Sequence, residues 1–167
     1  MRNPLREGLL KAVKEKKDEL EDSRKIGLKI RETDLPWMAA GCEYRGLMCY
    51  GFSRGRKHVK RSDIIDPLDT LLMTGLKTVC PTARKIPGGL FKKRHKRKNT
   101  LGNPPVLLKY VGTCAEDNAA NQILYAYKGR PGKPTSLKAL TFDHPVRIRT
   151  FKRERMCVVC RTLFTES

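Results

Sequence analysis

The chain has 167 residues and a mass of 19.1 kDa, with 39% hydrophobic residues, enough for a single domain to bury a core. Its 36 Lys and Arg outnumber 17 Asp and Glu and give a formal charge of +19. Such an excess stabilises no fold, but it favours anionic partners such as nucleic acid and makes their binding sensitive to salt. The sequence holds no run of 18 apolar residues, which excludes a membrane-spanning helix and leaves no membrane partner in the reading.

The N-terminal stretch MRNPLREGLLKAVKEKK scatters charges through its apolar positions, unlike the unbroken apolar stretch of a secretory signal. It points to an intracellular setting, where thiols stay reduced and metal ligation prevails over disulfides. The rival use of the six cysteines is three disulfides in a processed, secreted form.

In chain order, residues 4–22 have helical periodicity, with Leu5, Leu9, Val13 and Leu20 on one face and Lys and Glu elsewhere. Residues 1–35 form an N-terminal helical segment. Residues 36–53, PWMAAGCEYRGLMCYGFS, hold two apolar runs around Glu43–Gly46 and predict a β-hairpin. RGRKHVKR (54–61) is a basic loop. Asp66 and Pro67 have the character of a helix cap and first helical residue, with Leu68, Leu71 and Leu72 on the buried face and Gly75 closing the helix. Thr82 to Pro105 carries Gly88–Gly89, three prolines and the run KKRHKRK (92–98), which predict a basic insertion at about 82–105.

Residues 106–111, VLLKYV, predict a strand leading into a helix that starts near Cys114 and runs to about Tyr127. Gly129–Pro134 is a turn. Leu140, Phe142, Val146 and Ile148 alternate as one strand or two. A last short helix begins with CVVC (157–160).

Two motifs carry chemistry. Cys114-Ala115-Glu116 puts a thiol and a carboxylate in the first turn of one helix. Cys157 and Cys160, at i and i+3, share a face of another. Three protein ligands leave the fourth tetrahedral position of a zinc ion open, which marks a catalytic site. Zinc lowers the pKa of a water there, and a nearby carboxylate that is not a ligand can move its proton.

Together the CxE and CxxC motifs resemble the zinc-dependent cytidine deaminase superfamily, with Cys114 in the place of the usual histidine. The resemblance covers the motifs closely and about residues 36–164 through the order of elements. It implies a three-layer α/β/α fold with a mixed five-stranded sheet and both zinc motifs at helix N-termini. It also implies Cys114, Cys157 and Cys160 as ligands of Zn2+, and Glu116 as proton shuttle. The implied activity is hydrolytic deamination of a cytosine-type base. Met156 stands where the family has proline, and the 54–105 segment is longer than in small nucleoside deaminases. Arg161, following the second thiol of CxxC, is a candidate partner for an anionic thiolate site.

The charge makes single-stranded DNA or RNA the expected substrate. Lys92, Lys93, Arg94, Lys96, Arg97 and Lys98, with Arg56 and Lys57, are the expected phosphate contacts; Tyr50 and Phe52 offer base stacking or, alternatively, core packing. The same basic run also fits a solvated loop or a nuclear-import signal. Rivals remain for the motifs. Thr113 and Glu116 fit a capping box without any chemistry. Cys42, Cys49 or Cys80 is the rival fourth ligand of a closed four-thiolate zinc, and each also suits a buried apolar position. Asn118 and Asn121 are either polar groups of the site or a solvated helix face. The remaining functional alternatives are a free cytidine or nucleotide deaminase and a zinc-stabilised nucleic-acid-binding protein without catalysis.

Overall fold

The computed structural model describes residues 3–28, 36–53, 68–80, 84–86, 89–91, 110–112 and 114–167. The basic segments 54–61 and 92–98, Asp66–Pro67 and Thr113 lie outside these residues, and with them the eight expected phosphate contacts and the proposed capping residue.

Helix α1 (Pro4–Lys25) begins where Asn3 accepts the Arg6 N–H at 3.1 Å and Pro4 supplies a preset φ. It extends the expected 4–22 span and buries Leu5, Leu9 and Val13. The expected hairpin forms from β1 (Met38–Tyr44) and β2 (Leu47–Phe52). Its two-residue turn holds Arg45 at φ +50° and Gly46 at φ +81°, the paired positive values that match the twist of adjoining strands.

Helix α2 (Thr70–Val79) starts later than Asp66: Asp69 is its cap, accepting the Leu71 N–H at 2.9 Å. Tertiary contacts select this position. Asn121 accepts the Asp69 backbone N–H at 2.8 Å, and Lys133 meets the Asp69 carboxylate at 2.7 Å. Gly75 does not close the helix. It lies inside it, where a Cβ would press on Leu137 and Leu163, so it is kept small by packing.

Two stretches of the expected insertion are strands. β3 (Arg84–Ile86) and β4 (Gly89–Phe91) pair antiparallel, and β5 (Tyr110–Val111) joins β4 in a second, three-stranded sheet. Helix α3 (Ala115–Ala126) ends at Tyr127 as expected. The alternating stretch 140–148 resolves into two short strands, β6 (Thr141–Phe142) and β7 (Val146–Arg147), with Leu140, Phe142, Val146 and Ile148 all buried. Helix α4 (Val158–Leu163) follows, and then a strand the sequence did not suggest, β8 (Thr165–Glu166).

The main sheet is five-stranded and mixed, in the order β2-β1-β6-β8, with β7 also paired to β1 and β6–β8 parallel. The alternation of β1 divides the core between its two faces. Ala39 meets Leu9 and Val13 of α1 with Val146 and Ile148. Ala40 and Cys42 on the other face join the buried faces of α2, α3 and α4. The class is therefore α/β, with helices on both faces. Among the described residues no helix is long and apolar enough to cross a membrane.

The contact that seats α3 is at Gly51 of β2. A Cβ there would run into the carbonyl of Ala115 and the backbone nitrogen of Ala119. Backbone cannot move aside as a flexible side chain can, so the helix lies against the strand only because Gly51 has no side chain. Replacing Gly51 by Ala is expected to cost about 1–3 kcal/mol of folding stability and to weaken metal binding by shifting Cys114. Denaturant unfolding and metal titration of the variant check both; wild-type values for both would mean that α3 does not depend on this contact.

Candidate metal centre

Cys114 and Cys157 are the cap residues of α3 and α4, so two helix N-termini converge on one spot. The Sγ atoms of Cys114, Cys157 and Cys160 all lie within 4.8 Å of one another, and those of Cys114 and Cys157 are 3.9 Å apart. A tetrahedral zinc with Zn–S bonds of about 2.3 Å requires sulfurs about 3.8 Å apart. The three sulfurs therefore fit a zinc ion with little movement. They are the single such group among the described residues.

Cys42, Cys49 and Cys80 are not part of it. Cys42 and Cys80 are buried in the core, and Cys49 faces Cys42 across the β1–β2 pair. Burial raises the Cys42 thiol far above its ordinary pKa and Cys49 more modestly, so both remain neutral. The closed four-thiolate arrangement is not formed. His144 is likewise outside the cluster and faces Glu166 at 3.2 Å.

The thiols share charge unequally. Cys157 is lowered to about 3 by hydrogen bonds from the Cys114 and Cys160 thiols, helped by the backbone N–H groups of Val159 and Cys160. The Cys160 N–H lies 3.4 Å from its sulfur. Cys114 and Cys160 are raised, Cys114 first by donating to Cys157, and Cys160 first by its contact with Cys114. A divalent cation bound by the three sulfurs would replace their protons. Of the three residues Cys157 is the most exposed and Cys160 is buried.

Glu116 is buried, with 5% of its surface exposed, in the first turn of α3. Burial raises its carboxyl to about 7; Cys157 and Glu166 push in the same direction, while a hydrogen bond to its own backbone opposes them. The capping-box alternative is displaced by one residue, since the helix cap is Cys114 rather than Thr113 and Cys114 makes no side-chain capping bond.

Asp117 escaped the motifs. It is buried, and its Oδ1 lies 3.9 Å from the Cys160 sulfur. The available signal was a second acid in the same helical turn, three residues after Cys114 and so near its face. Arg161, by contrast, is exposed, and its carbonyl accepts from Lys138 at 3.3 Å. Asn118 donates to the Phe52 carbonyl at 2.6 Å, and Asn121 accepts the Asp69 backbone N–H at 2.8 Å. Tyr50 and Phe52 pack with the α1 cluster, the Tyr50 hydroxyl filling the space above Gly8.

Comparison with family models, with curated proteins and with solved structures finds no match to this chain.

Zinc or cobalt is expected to bind at one ion per chain, with cobalt–thiolate absorption lost in Cys160→Ser and kept in Cys49→Ser. Equal binding by both variants would rule out the cluster as the metal centre.

Glu116 adds a pH dependence to the metal-free protein. Its folded form keeps the proton up to about pH 7, whereas the ordinary carboxyl releases it near 4.5. Folding therefore takes up a proton in that window, and the associated stability is complete below 4.5 and lost as pH rises through 7. Metal-free Glu116→Gln should exceed wild type by up to about 3 kcal/mol at pH 8. Denaturant unfolding against pH checks this; identical pH profiles would mean that Glu116 is solvated.

Proposed function

We propose that this protein is a zinc-dependent cytosine deaminase of the cytidine deaminase-like fold, acting on single-stranded DNA or RNA. The observation that carries the reading is the placement of buried Glu116 in the helical turn that begins with Cys114, beside three sulfurs spaced for zinc. Three thiolate ligands leave zinc a fourth position, where it supplies Lewis acidity that lowers the pKa of a water.

The net reaction replaces the exocyclic amine of cytosine by a carbonyl, consuming one water and releasing ammonia. Glu116 accepts a proton from the attacking water and delivers it to the ring nitrogen. It then carries the second proton to the departing amine as the carbon–nitrogen bond breaks. Burial suits it to both steps, because a carboxyl that is easily protonated near neutral pH can give a proton as well as take one. Asp117, against Cys160, helps to orient that ligand rather than to react.

The charge of +19 favours a polyanionic substrate over a free nucleoside. Under this reading Lys92, Lys93, Arg94, Lys96, Arg97, Lys98, Arg56 and Lys57 contact phosphates, and the target base of a duplex must first be flipped out.

The test is conversion of cytosine to uracil in a single-stranded oligonucleotide by zinc-loaded protein. Glu116→Gln should lower the rate by on the order of a hundredfold or more while keeping its zinc, and raised salt should suppress turnover at limiting substrate. Conversion of free cytidine alone, insensitive to salt, would overturn the nucleic-acid substrate. No conversion of either would overturn the deaminase and leave a zinc-stabilised binding protein.

A further inference from the structure

The end of the main sheet that carries the metal centre also carries two exposed aromatic side chains used by neither the core nor the site. Trp37, the single tryptophan of the chain, is 68% exposed. Its backbone is fixed on both sides: its N–H donates to Ser53 Oγ at 2.9 Å, and its carbonyl accepts from the Ile148 N–H at 3.1 Å. The ring is thus presented to solvent from a rigid strand entry.

Phe151 is 37% exposed and sits at the tip of a tight hairpin that continues β7. The hairpin is closed by Arg147 N–H to the Lys152 carbonyl and Phe151 N–H to the Arg147 carbonyl, both 2.8 Å. Phe151 has φ +56°, a conformation that strains a bulky residue and suits Gly or Asn. Turn chemistry does not ask for an aromatic residue here.

A cation of α1 stands over the Phe151 ring. Lys17 Nζ stands 5.5 Å from the centre of the Phe151 ring, and Lys16 Nζ 5.9 Å from that of Phe52 at the same end of β2. The hairpin sequence RIRTFKRER (147–155) has five cations, of which Arg147 pairs with Glu154 at 2.7 Å and Arg153 with Asp143 at 3.0 Å. Trp37 shares the strand face of Ala39, next to Val146 and Ile148, which is the α1 side of the sheet. The metal centre lies on the α3 side at the same end, where Asn118 grips the Phe52 carbonyl and Ser53 grips Met38.

We propose that Trp37 and Phe151, with Lys17 over the Phe151 ring and Lys152 next to it in the hairpin, form a stacking surface for the bases of single-stranded nucleic acid. The chemistry selects this occupant. Cations select an anion, exposed aromatic faces select flat π systems, and a single strand offers both in every nucleotide, whereas a duplex hides its base faces. As a route for substrate toward Glu116 the surface rests on the deaminase reading; as a binding surface it is tested without turnover.

The probe is an oligothymidylate of about 15 nucleotides, which contains no cytosine. Because Trp37 is the only tryptophan, its emission reports this surface alone. Saturating quenching is expected, with affinity falling steeply as salt rises. By anisotropy of a labelled oligonucleotide, Trp37→Ala and Phe151→Ala should each weaken binding about tenfold, and Trp37→Phe should restore most of it. Binding without a change in Trp37 emission would overturn the proposal, as would no binding, or equal quenching by polyglutamate at matched charge. If Phe151→Ala fails to fold, the emission of the wild type and the exposed Trp37 variants decide. Failure of deamination with quenching intact removes the catalytic reading and leaves the surface; quenching absent with deamination intact does the reverse.

Discussion

The seat of α3 on β2 is the constraint on which the rest of the site depends. Backbone meets backbone at Gly51, which fixes the distance between helix and strand. Three carboxamides then fix the rotation and axial position of the helix: Asn118 on the Phe52 carbonyl, Gln122 on the Tyr50 carbonyl at 3.0 Å, and Asn121 on the Asp69 N–H. With α3 held along its length, its first turn has no freedom to wander. Cys114 and Glu116 are delivered to one place by contacts that are themselves remote from any chemistry.

The partner helix is held differently. α4 has six residues, too few for helix propensity to define it. Its position comes from burial of Leu163 and Phe164 and from its C-terminal end, where the Lys138 ammonium meets the carbonyls of Arg161 and Phe164 at 3.3 and 2.9 Å. A cation at the negative end of a helix is favourable by its dipole. The N-terminal end is left to Cys157, whose sulfur accepts the Cys160 N–H. One end is thus anchored to the core by packing and charge, and the other carries the ligands. If α4 is so anchored, metal binding tightens a cluster that already exists instead of building it from a disordered segment.

Much of this was legible in the sequence, and what was not has physical causes. The helix periodicity of 4–22, the hairpin around Arg45–Gly46 and the buried alternation of Leu140, Phe142, Val146 and Ile148 are local patterns, and the structure follows them. The grouping of Cys114 with Cys157 and Cys160 was also readable, although the residues are 43 positions apart, because each pair of motif residues sits at a helix start. Non-local choices were not readable. Asp69 rather than Asp66 caps α2 because Asn121 and Lys133 wait for it from other elements. Gly75 punctuates nothing because its smallness answers Leu137 and Leu163. Asn118 and Asn121 look like solvated or reactive groups until the strand carbonyl and the cap they grip are seen. Asp117 was hidden by Glu116, since one carboxylate already satisfied the motif.

The buried carboxylates Asp69, Asp143 and Glu116 are held in two different ways. Asp69 is held by Lys133 at 2.7 Å, and Asp143 by Arg153 at 3.0 Å and Arg6 at 3.4 Å, so each buried charge meets a cation brought by another element. That is the ordinary way to make a buried carboxylate tolerable. Glu116 is treated in the opposite manner. Its surroundings raise its proton affinity through burial, through the Cys157 thiolate and through Glu166. A chain with 36 basic residues does not lack cations to place beside an acid. Holding one carboxyl near neutrality costs stability above pH 7, and a purely structural acid gains nothing in return. Under the proposed function the gain is chemical, because a group poised to exchange a proton at neutral pH is what a hydrolytic site next to a metal would require.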